Sequence, residues 1–306
     1  MPRVESESLD SIDPDQTIFR YMSFSKFVNL LKTRDLHFHQ AADFGDRFEG
    51  SVPELIRDAR EKEYQRATEN GDLQPEGHEI HAEINKCLRR FTYLSCWHMT
   101  YEESVAMWEH YGGSEGAVAI KTTVGEFSSA LNTRDSPDIY FGEVDYQPYS
   151  SEHESTPDID DIDIEEELDD RFFLTREAHS LVPFVHKRQG YEYEQEMRGI
   201  IQDPPIDEDL DQTKVEIDGE IIDVDFKIHT EHGPRYLDAT KENDQKGIDV
   251  PVYLDGLIQK VHTAPDASSW FKETVEKVVE DCDRLMRDHD PEEILEDSIL
   301  DDDPSF

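Results

Sequence analysis

The sequence predicts an α+β protein, in which a single mixed sheet is flanked by helices and carries acidic loop insertions. Three observations predict this class. Short alternating segments recur along the chain between segments that have helical spacing. Residues 91–120 have the pattern of a strand, a helix and a second strand with almost no loop between them. Finally, 36% of the 306 residues are hydrophobic, which is sufficient for a packed core.

The alternating segments predict the strands of this sheet. We expect them near residues 17–22, 36–41, 91–97, 116–122, 139–147, 194–202, 250–254 and 257–263. The last two should pair with each other through a turn at Asp255-Gly256. Asp218-Gly219, flanked by apolar residues, predicts a separate hairpin outside the sheet.

Helical spacing predicts how the main helices face the sheet. In the helix after the third strand, Val105, Trp108 and Tyr111 should form the apolar face. Pro265 should open an amphipathic helix near the end of the chain, with Trp270 turned inward.

The domain prediction is one α+β domain over residues 17–300. A disordered acidic lead is expected at 1–16 and an acidic tail at 301–306. Polar and acidic runs interrupt the periodic pattern and predict insertions near 69–77, 148–170 and 203–247.

The charge balance predicts a folded protein with an acidic surface. The chain has 30 basic and 73 acidic residues, a net charge of -43 and a pI near 4.4. So large a charge destabilises a compact state by self-repulsion unless salt screens it, so we expect a halophilic protein. The same charge argues against direct nucleic-acid binding, because a polyanion would be repelled.

Other features of composition predict a soluble, cytoplasmic protein with no membrane association. The amino-terminal residues have no apolar core of a signal peptide, and no run approaches the ~18 apolar residues of a membrane span. The three cysteines lie far apart, which predicts no disulfide framework and no cysteine metal site. His37 and His39 share a strand face, but no third metal ligand is identifiable by spacing. The oligomeric state is left open.

The loop at residues 42–50 is a candidate wall of a site. Phe44 and Phe48 are expected to be buried there, and Asp46 and Glu49 to be exposed.

A second informative stretch predicts a strand that begins near Glu194. On a strand, Glu194, Glu196 and Arg198 would share one face. This set is either a salt-bridged sheet face or a pair of carboxylates aimed at a pocket, with Arg198 keeping one of them ionised. His98, at the end of the third strand, is either a hydrogen-bonding structural histidine or a site residue.

In the order of these motifs the chain resembles the family catalogued as domain of unknown function 2971. The resemblance extends over roughly residues 17–300. It is carried by the Arg20-Tyr21 strand, the Phe44/Phe48-Glu49 loop, Ser95-Cys-Trp97, Met107-Trp108, the strand at 116–120, Glu194-x-Glu196-x-Arg198, and Ser298-Ile-Leu. The family name implies no activity.

The motif order is also similar, more distantly, to that of ADP-ribosyltransferases that use NAD. The resemblance implies that Arg20 holds the NAD phosphates, Ser95 braces the pocket and Glu196 stabilises the oxocarbenium-like transition state. It also implies that Glu194 steers the acceptor.

Four further residues are expected to bind substrate: His98, Trp97, Tyr21 and Arg198. NAD would be a substrate, and no resident cofactor or metal is implied. The geometry requires Arg20, Ser95 and Glu196 on one side of the sheet. The alternative is a non-catalytic module that binds a protein partner, in a defence or stress system.

Overall fold

A computed structural model of the protein describes residues 12–51, 53–69, 77–111, 116–131, 137–149, 179–230, 233–282, 285 and 291–301. Residues 1–11 of the predicted lead, residues 302–306 of the predicted tail and most of the insertions at 69–77 and 148–170 lie outside these ranges. Within them, no helix is long and apolar enough to cross a membrane.

The described strands are β1 (Thr17–Ser23), β2 (Asp35–Gln40), β3 (Thr92–Met99), β4 (Ala117–Thr123), β5 (Tyr140–Glu143), β6 (Asp145–Gln147), β7 (His186–Arg188), β8 (Glu196–Gln202), β9 (Thr213–Ile217), β10 (Glu220–Val224), β11 (Ile228–Thr230), β12 (Gly233–Arg235), β13 (Gly247–Pro251), β14 (Lys260–Thr263) and β15 (Leu295–Glu296). The described helices are α1 (Phe24–Thr33), α2 (Glu54–Glu69), α3 (Gly77–Arg90), α4 (Val105–Tyr111), α5 (Val124–Ala130), α6 (Leu254–Leu257), α7 (Ser269–Glu280) and α8 (Pro291–Ile294). Short 3-10 helices occur at Ala41–Asp43, His179–Phe184, Gln189–Glu194 and Ile299–Asp301.

A large mixed sheet is the centre of the fold, which confirms the predicted α+β class. Its strand order is β13-β2-β3-β1-β4-β14-β15, and β8 pairs with both β3 and β5. The β14–β15 pair is parallel, whereas the other pairs of this sheet are antiparallel. The predicted hairpin is confirmed as β9–β10, with positive φ angles of 51° at Asp218 and 83° at Gly219.

The two faces of the sheet are covered differently. On one face, α1, α5, α6 and α7 pack over the largest apolar cluster, which includes Phe27, Trp97 and Phe127. On the other face, the 3-10 helix His179–Phe184 and α4 cover two smaller clusters, around Leu94 and around Tyr21. The second face therefore has less apolar cover and more room for polar side chains.

The sheet is open between β1 and β2, and this gap positions the candidate site. On one edge, β3 pairs with β8 along residues 92–98. On the other edge, β3 pairs with β1 only at Ile18 and Phe19, and with β2 only at His39 and Gln40. Among the described strands, none pairs with residues 95–97 on that edge. A side chain can therefore enter the sheet layer there.

Several local predictions are wrong for physical reasons. The segment at 254–257 is helical, and β13 and β14 do not pair with each other, because β13 pairs with β2 and β14 pairs with β4 and β15. α7 begins after Ser268 rather than at Pro265, because Ser268 caps the helix by accepting a hydrogen bond from the Phe271 amide. Phe271, Val275 and Val279 form its buried face, and Trp270 is exposed. Val105 is likewise exposed in the short helix α4.

Candidate functional site

A cleft of about 830 Å³ lies at the gap in the sheet. Residues from β1, β2, β3 and β8 line it, together with residues of α1, α4 and the 3-10 helix before β8. Pockets of roughly 300–1,000 Å³ are typical of small-molecule sites. The cleft therefore has a suitable size for a ligand. Six predicted site residues line it, whereas Ser95 and Arg198 do not: the six are Arg20, Tyr21, Trp97, His98, Glu194 and Glu196.

Arg20 projects into the gap. Its Nη1 donates a hydrogen bond to Ser95 Oγ at 2.5 Å, and its Nη2 donates to the His37 carbonyl oxygen at 3.0 Å. Its guanidinium carbon lies 5.6 Å from the centre of the Trp97 ring, and Trp97 Nε1 donates to the same Ser95 Oγ at 3.0 Å. Because one contact is to the backbone of β2, the guanidinium group lies within the sheet layer.

The contacts that hold Arg20 are neutral. Among the described residues, no ion pair joins Arg20 to a carboxylate. Burial lowers the pKa of Arg20 to about 10, which still leaves the guanidinium charged at neutral pH. A partly buried cation without a carboxylate partner is costly, and an anionic ligand would offset that cost.

Glu196 and Arg198, on β8, form a buried ion-pair network on the opposite face. Arg198 Nε donates to Glu196 Oε2 at 2.8 Å, and Arg198 Nη1 donates to Glu49 Oε1 at 2.6 Å. Arg198 Nη1 also donates to the Phe184 carbonyl oxygen at 2.6 Å. The side chains of Arg198 and Glu49 have no exposed surface. This part of the site matches the interpretation as a salt-bridged sheet face.

Lys187 and Glu194 extend this network toward the cleft. Lys187 Nζ contacts Glu194 Oε2 and lies 3.2 Å from Glu196 Oε1. Tyr111 Oη donates to Glu194 Oε1 at 2.7 Å. Three carboxylates, those of Glu49, Glu194 and Glu196, thus share two cations, so the network has one carboxylate in excess.

The surroundings drive the two glutamate pKa values apart. Burial alone would raise the pKa of Glu196, but the charges of Arg198 and Lys187 outweigh it and lower this pKa to about 2. Burial raises the pKa of Glu194, and the neighbouring charge of Glu196 adds to this. Glu196 is therefore the ionised member of the pair, and Glu194 is the one that more readily holds a proton.

His98 and Tyr21 line the cleft on the face that carries Glu196. His98 Nδ1 lies 2.6 Å from the Glu194 carbonyl oxygen, so the ring anchors the segment before β8. Burial lowers the pKa of His98, which favours its neutral form. Tyr21 Oη accepts a hydrogen bond from the Ser104 amide at 3.0 Å. Both side chains have structural partners in addition to their position in the cleft.

The requirement that Arg20, Ser95 and Glu196 share one side of the sheet is not met. The pairing of Phe19 with His98, and of His98 with Glu196, places those three side chains on one face. Arg20 and Ser95 are each an odd number of residues from these positions, so they start on the other face. Arg20 and Glu196 nevertheless line the same cleft, because the sheet is open at the gap.

The strand expected to begin near Glu194 begins two residues later. Glu194 ends a 3-10 helix, and β8 begins at Glu196 after Gln195, which has a left-handed φ of 38°. Gln195 redirects the chain, and the Glu194 and Glu196 carboxylates both contact Lys187.

Two network residues were missed by the sequence analysis. Glu49 was expected to be exposed but is buried against Arg198, whereas Phe48 was expected to be buried and is 45% exposed. Lys187 belongs to the short strand β7, and no spacing pattern connected it to Glu194. The adjacent basic pair Lys187-Arg188, a few residues before the glutamates, was the signal that could have indicated it.

Part of the chain matches a described protein family. Residues 107–199 match the family described as protein of unknown function (DUF2971). This confirms the predicted resemblance for that part of the chain. No curated protein and no solved structure matches the chain.

The DUF2971 match covers one side of the cleft. It includes Tyr111, Lys187, Glu194, Glu196 and Arg198, and it ends at residue 199 within β8. Arg20 and Ser95 precede the matched region. Within the part of the chain that the structure describes, no group of three or more histidine, cysteine, aspartate or glutamate residues could hold a metal ion.

Proposed function

We propose that the cleft binds a phosphate-bearing nucleotide, and that the chain acts there on NAD as an ADP-ribosyltransferase-like enzyme or NAD hydrolase. The observation that carries this proposal is Arg20, a partly buried cation that lines the cleft and has only neutral partners among the described residues. Guanidinium groups suit phosphate geometry, because their planar donors can form paired hydrogen bonds.

The glutamate pair supports a catalytic use of the same cleft. A site in which one carboxyl has a raised pKa and its neighbour a lowered pKa is a common source of acid–base and electrostatic roles. Glu196, with a pKa near 2, is anionic at neutral pH. During glycosidic cleavage a positive charge develops on the ribose ring, and a nearby anion stabilises that charge.

In the proposed reaction, the bond between the nicotinamide nitrogen and ribose C1′ breaks, and its electron pair stays on nicotinamide. The oxygen of water or of an acceptor hydroxyl then bonds to C1′, and its proton leaves to a base. Arg20 holds the phosphates, Glu196 stabilises the cationic ribose and Glu194 positions the acceptor. Ser95 keeps the Arg20 guanidinium in place through the hydrogen bond from Nη1.

The test is nicotinamide release from NAD in molar potassium chloride. We expect the native protein to release nicotinamide above the uncatalysed background. Glu196→Gln should lower the rate about 10²-fold, because it removes the charge but keeps the shape. A melting curve of the variant controls for loss of fold. Equal rates for the folded variant and the native protein would remove Glu196 from catalysis.

A second candidate function is a non-catalytic module that recognises a protein partner, in a defence or stress system. It is favoured by one observation: both carboxylate oxygens of Glu196 already contact a cation, Lys187 or Arg198. On this alternative the network is structural. Capture of a defined partner from a salt-matched lysate, by a native protein that releases no nicotinamide, would favour it.

We also propose that the protein is halophilic and works in a salt-rich cytoplasm without binding nucleic acid. The proposal rests on the net charge of -43. Salt at ~0.1 M leaves a Debye length of about 10 Å, whereas molar salt shortens it to about 3 Å. The melting temperature should therefore rise when the potassium chloride concentration is raised from ~0.1 M to ~1 M. An unchanged melting temperature would contradict the halophilic assignment.

A further inference from the structure

We propose that His37 and Asp249 form the acid–base pair of this cleft, and that His37 is the general base that takes the proton from the acceptor. The inference rests on the proposed function, because it supplies the base that the reaction needs. Both residues line the cleft, and neither was assigned a catalytic role by the sequence motifs.

The sheet holds the two side chains together. His37 on β2 and Asp249 on β13 are direct cross-strand partners, so their side chains project from the same face. His37 Nδ1 lies 2.7 Å from Asp249 Oδ1. An ionised carboxylate can only accept, so this contact places the imidazole proton on Nδ1 and leaves Nε2 as the acceptor.

Gly247 leaves room for the imidazole ring of His37. Gly247 lies on the same strand face as Asp249, two residues before it. A Cβ atom at this position would come within 2.5 Å of His37 Nε2 and 2.4 Å of His37 Cε1. The His37 ring therefore could not keep this position beside a larger residue at 247.

Glu194 and Glu196 are less accessible to the proton of an acceptor, because protein groups already contact their carboxylate oxygens. The two oxygens of Glu194 contact Lys187 Nζ and Tyr111 Oη, and the two oxygens of Glu196 contact Lys187 and Arg198. By contrast, His37 Nε2 makes no hydrogen bond to any residue that the structure describes.

Arg20 connects this pair to the ligand site. Its Nη2 donates to the main-chain oxygen of His37 at 3.0 Å, so a phosphate held by Arg20 lies next to the residue that carries the base. The side chains of His37 and Asp249 are 52% and 65% exposed, which leaves access for an acceptor from solvent.

The proposed step moves one proton from the acceptor and breaks the bond to nicotinamide. The acceptor O–H gives its proton to His37 Nε2, and the acceptor oxygen bonds to ribose C1′. The bond from C1′ to nicotinamide breaks and its electron pair remains on the nicotinamide nitrogen. The proton on His37 then passes to solvent, so the net products from water are ADP-ribose, nicotinamide and one proton. Asp249 acts as a positioning residue, because it fixes the imidazole tautomer.

The activity test compares His37→Ala and Asp249→Asn with the native protein in nicotinamide release under single-turnover conditions. Loss of a general base typically costs about 10²-fold or more, so we expect a loss of that size for His37→Ala. Added imidazole should restore part of the rate in His37→Ala only. The control is His81→Ala, which removes an imidazole from α3, outside the residues that line the cleft, and should keep the native rate. An unchanged rate in His37→Ala, or a loss that imidazole does not restore, would overturn the inference.

A spectroscopic test separates this inference from the proposed function. The imidazole ¹⁵N shifts should show His37 in the Nδ1–H tautomer in the native protein, and a shift toward the Nε2–H tautomer in Asp249→Asn. The Nε2–H tautomer in the native protein would reject the base assignment, whether or not NAD is cleaved. Absent nicotinamide release from the native protein would instead reject the proposed function and, with it, the role of the base in that reaction. In that case the tautomer measurement would still report whether Asp249 orients the His37 ring.

Discussion

Arg198 and Arg20 both carry a guanidinium group into the central sheet, but the two groups have opposite surroundings. Arg198 has no exposed surface and is paired with Glu49 and Glu196. Although burial opposes its charge, these carboxylates raise its pKa. Arg20 is held by Ser95 Oγ and a main-chain oxygen, and burial lowers its pKa to about 10.

This difference separates a structural cation from one that is available to a ligand. The charge of Arg198 is already compensated within the protein, so its removal should mainly affect folding. The charge of Arg20 has no anionic partner among the described residues, so its removal should mainly affect ligand binding. The first three predictions below test this division, from the largest expected effect to the smallest.

Arg198→Met should give the largest loss of stability. It would leave the Glu49 carboxylate buried without its cation and the Glu196 carboxylate with Lys187 alone, and breaking a buried ion pair typically costs about 3–5 kcal/mol. The free energy of unfolding, from denaturant titration in molar salt, measures this loss. The matched control is Arg57→Met, because Arg57 pairs with Asp58 at the surface and such pairs contribute only about 0–1 kcal/mol. Equal losses in the two variants would show that the buried network is not stabilising.

Acidification should weaken the fold through Glu196. Its pKa falls from an ordinary value of 4.5 to about 2 in the folded protein. The stability that the ionised Glu196 carboxylate contributes is fully present above pH 4.5, and it is lost as pH falls toward 2. A shift of this size corresponds to something on the order of 3 kcal/mol. Glu194 acts in the opposite direction, because its pKa is raised and protonation favours the folded state.

The measurement is the free energy of unfolding against pH for the native protein and Glu196→Gln. The difference between the two curves should shrink between pH 4.5 and pH 2, because glutamine does not titrate. A difference that stays constant over this window would remove Glu196 as the cause of acid sensitivity.

Arg20→Gln should change stability by no more than about 1 kcal/mol. The variant loses hydrogen bonds to Ser95 and the His37 carbonyl, each worth about 0.5–1.5 kcal/mol, but it also removes an unpaired charge from a partly buried position. These effects oppose each other. Thermal unfolding of the unliganded protein measures the sum. A loss as large as that of Arg198→Met would mean that Arg20 is structural.

The strands could be predicted from sequence because their evidence is local. Alternation over a few residues identified β1, β3 and β4, and Asp218-Gly219 identified a hairpin, because each pattern reports the side-chain direction of adjacent residues. The closing strands were misplaced, because the apolar run that continues past β13 belongs partly to α6. A short apolar run does not distinguish a buried strand from a buried helical turn.

The candidate site could be predicted only in part, because its geometry depends on contacts that are distant in sequence. Glu49 reaches Arg198 over 149 positions. Two further features have no local pattern: the left-handed conformation of Gln195, and the gap that admits Arg20. The sequence therefore pointed to Arg20, Glu194 and Glu196, but not to the faces from which they project, and it did not point to Glu49 or Lys187.

The most direct test of the account is the binding of ADP-ribose, which carries the phosphates of NAD but lacks the bond that would be cleaved. Isothermal titration in salt of constant concentration would compare the native protein with Arg20→Gln and with the surface control Arg57→Gln. Hydrogen bonds to charged groups contribute about 1.5–3 kcal/mol, so Arg20→Gln should bind at least tenfold more weakly. Arg57→Gln should bind as the native protein does. No binding by the native protein, or equal affinity for native and Arg20→Gln, would contradict the assignment of Arg20 as the phosphate-binding residue of the cleft.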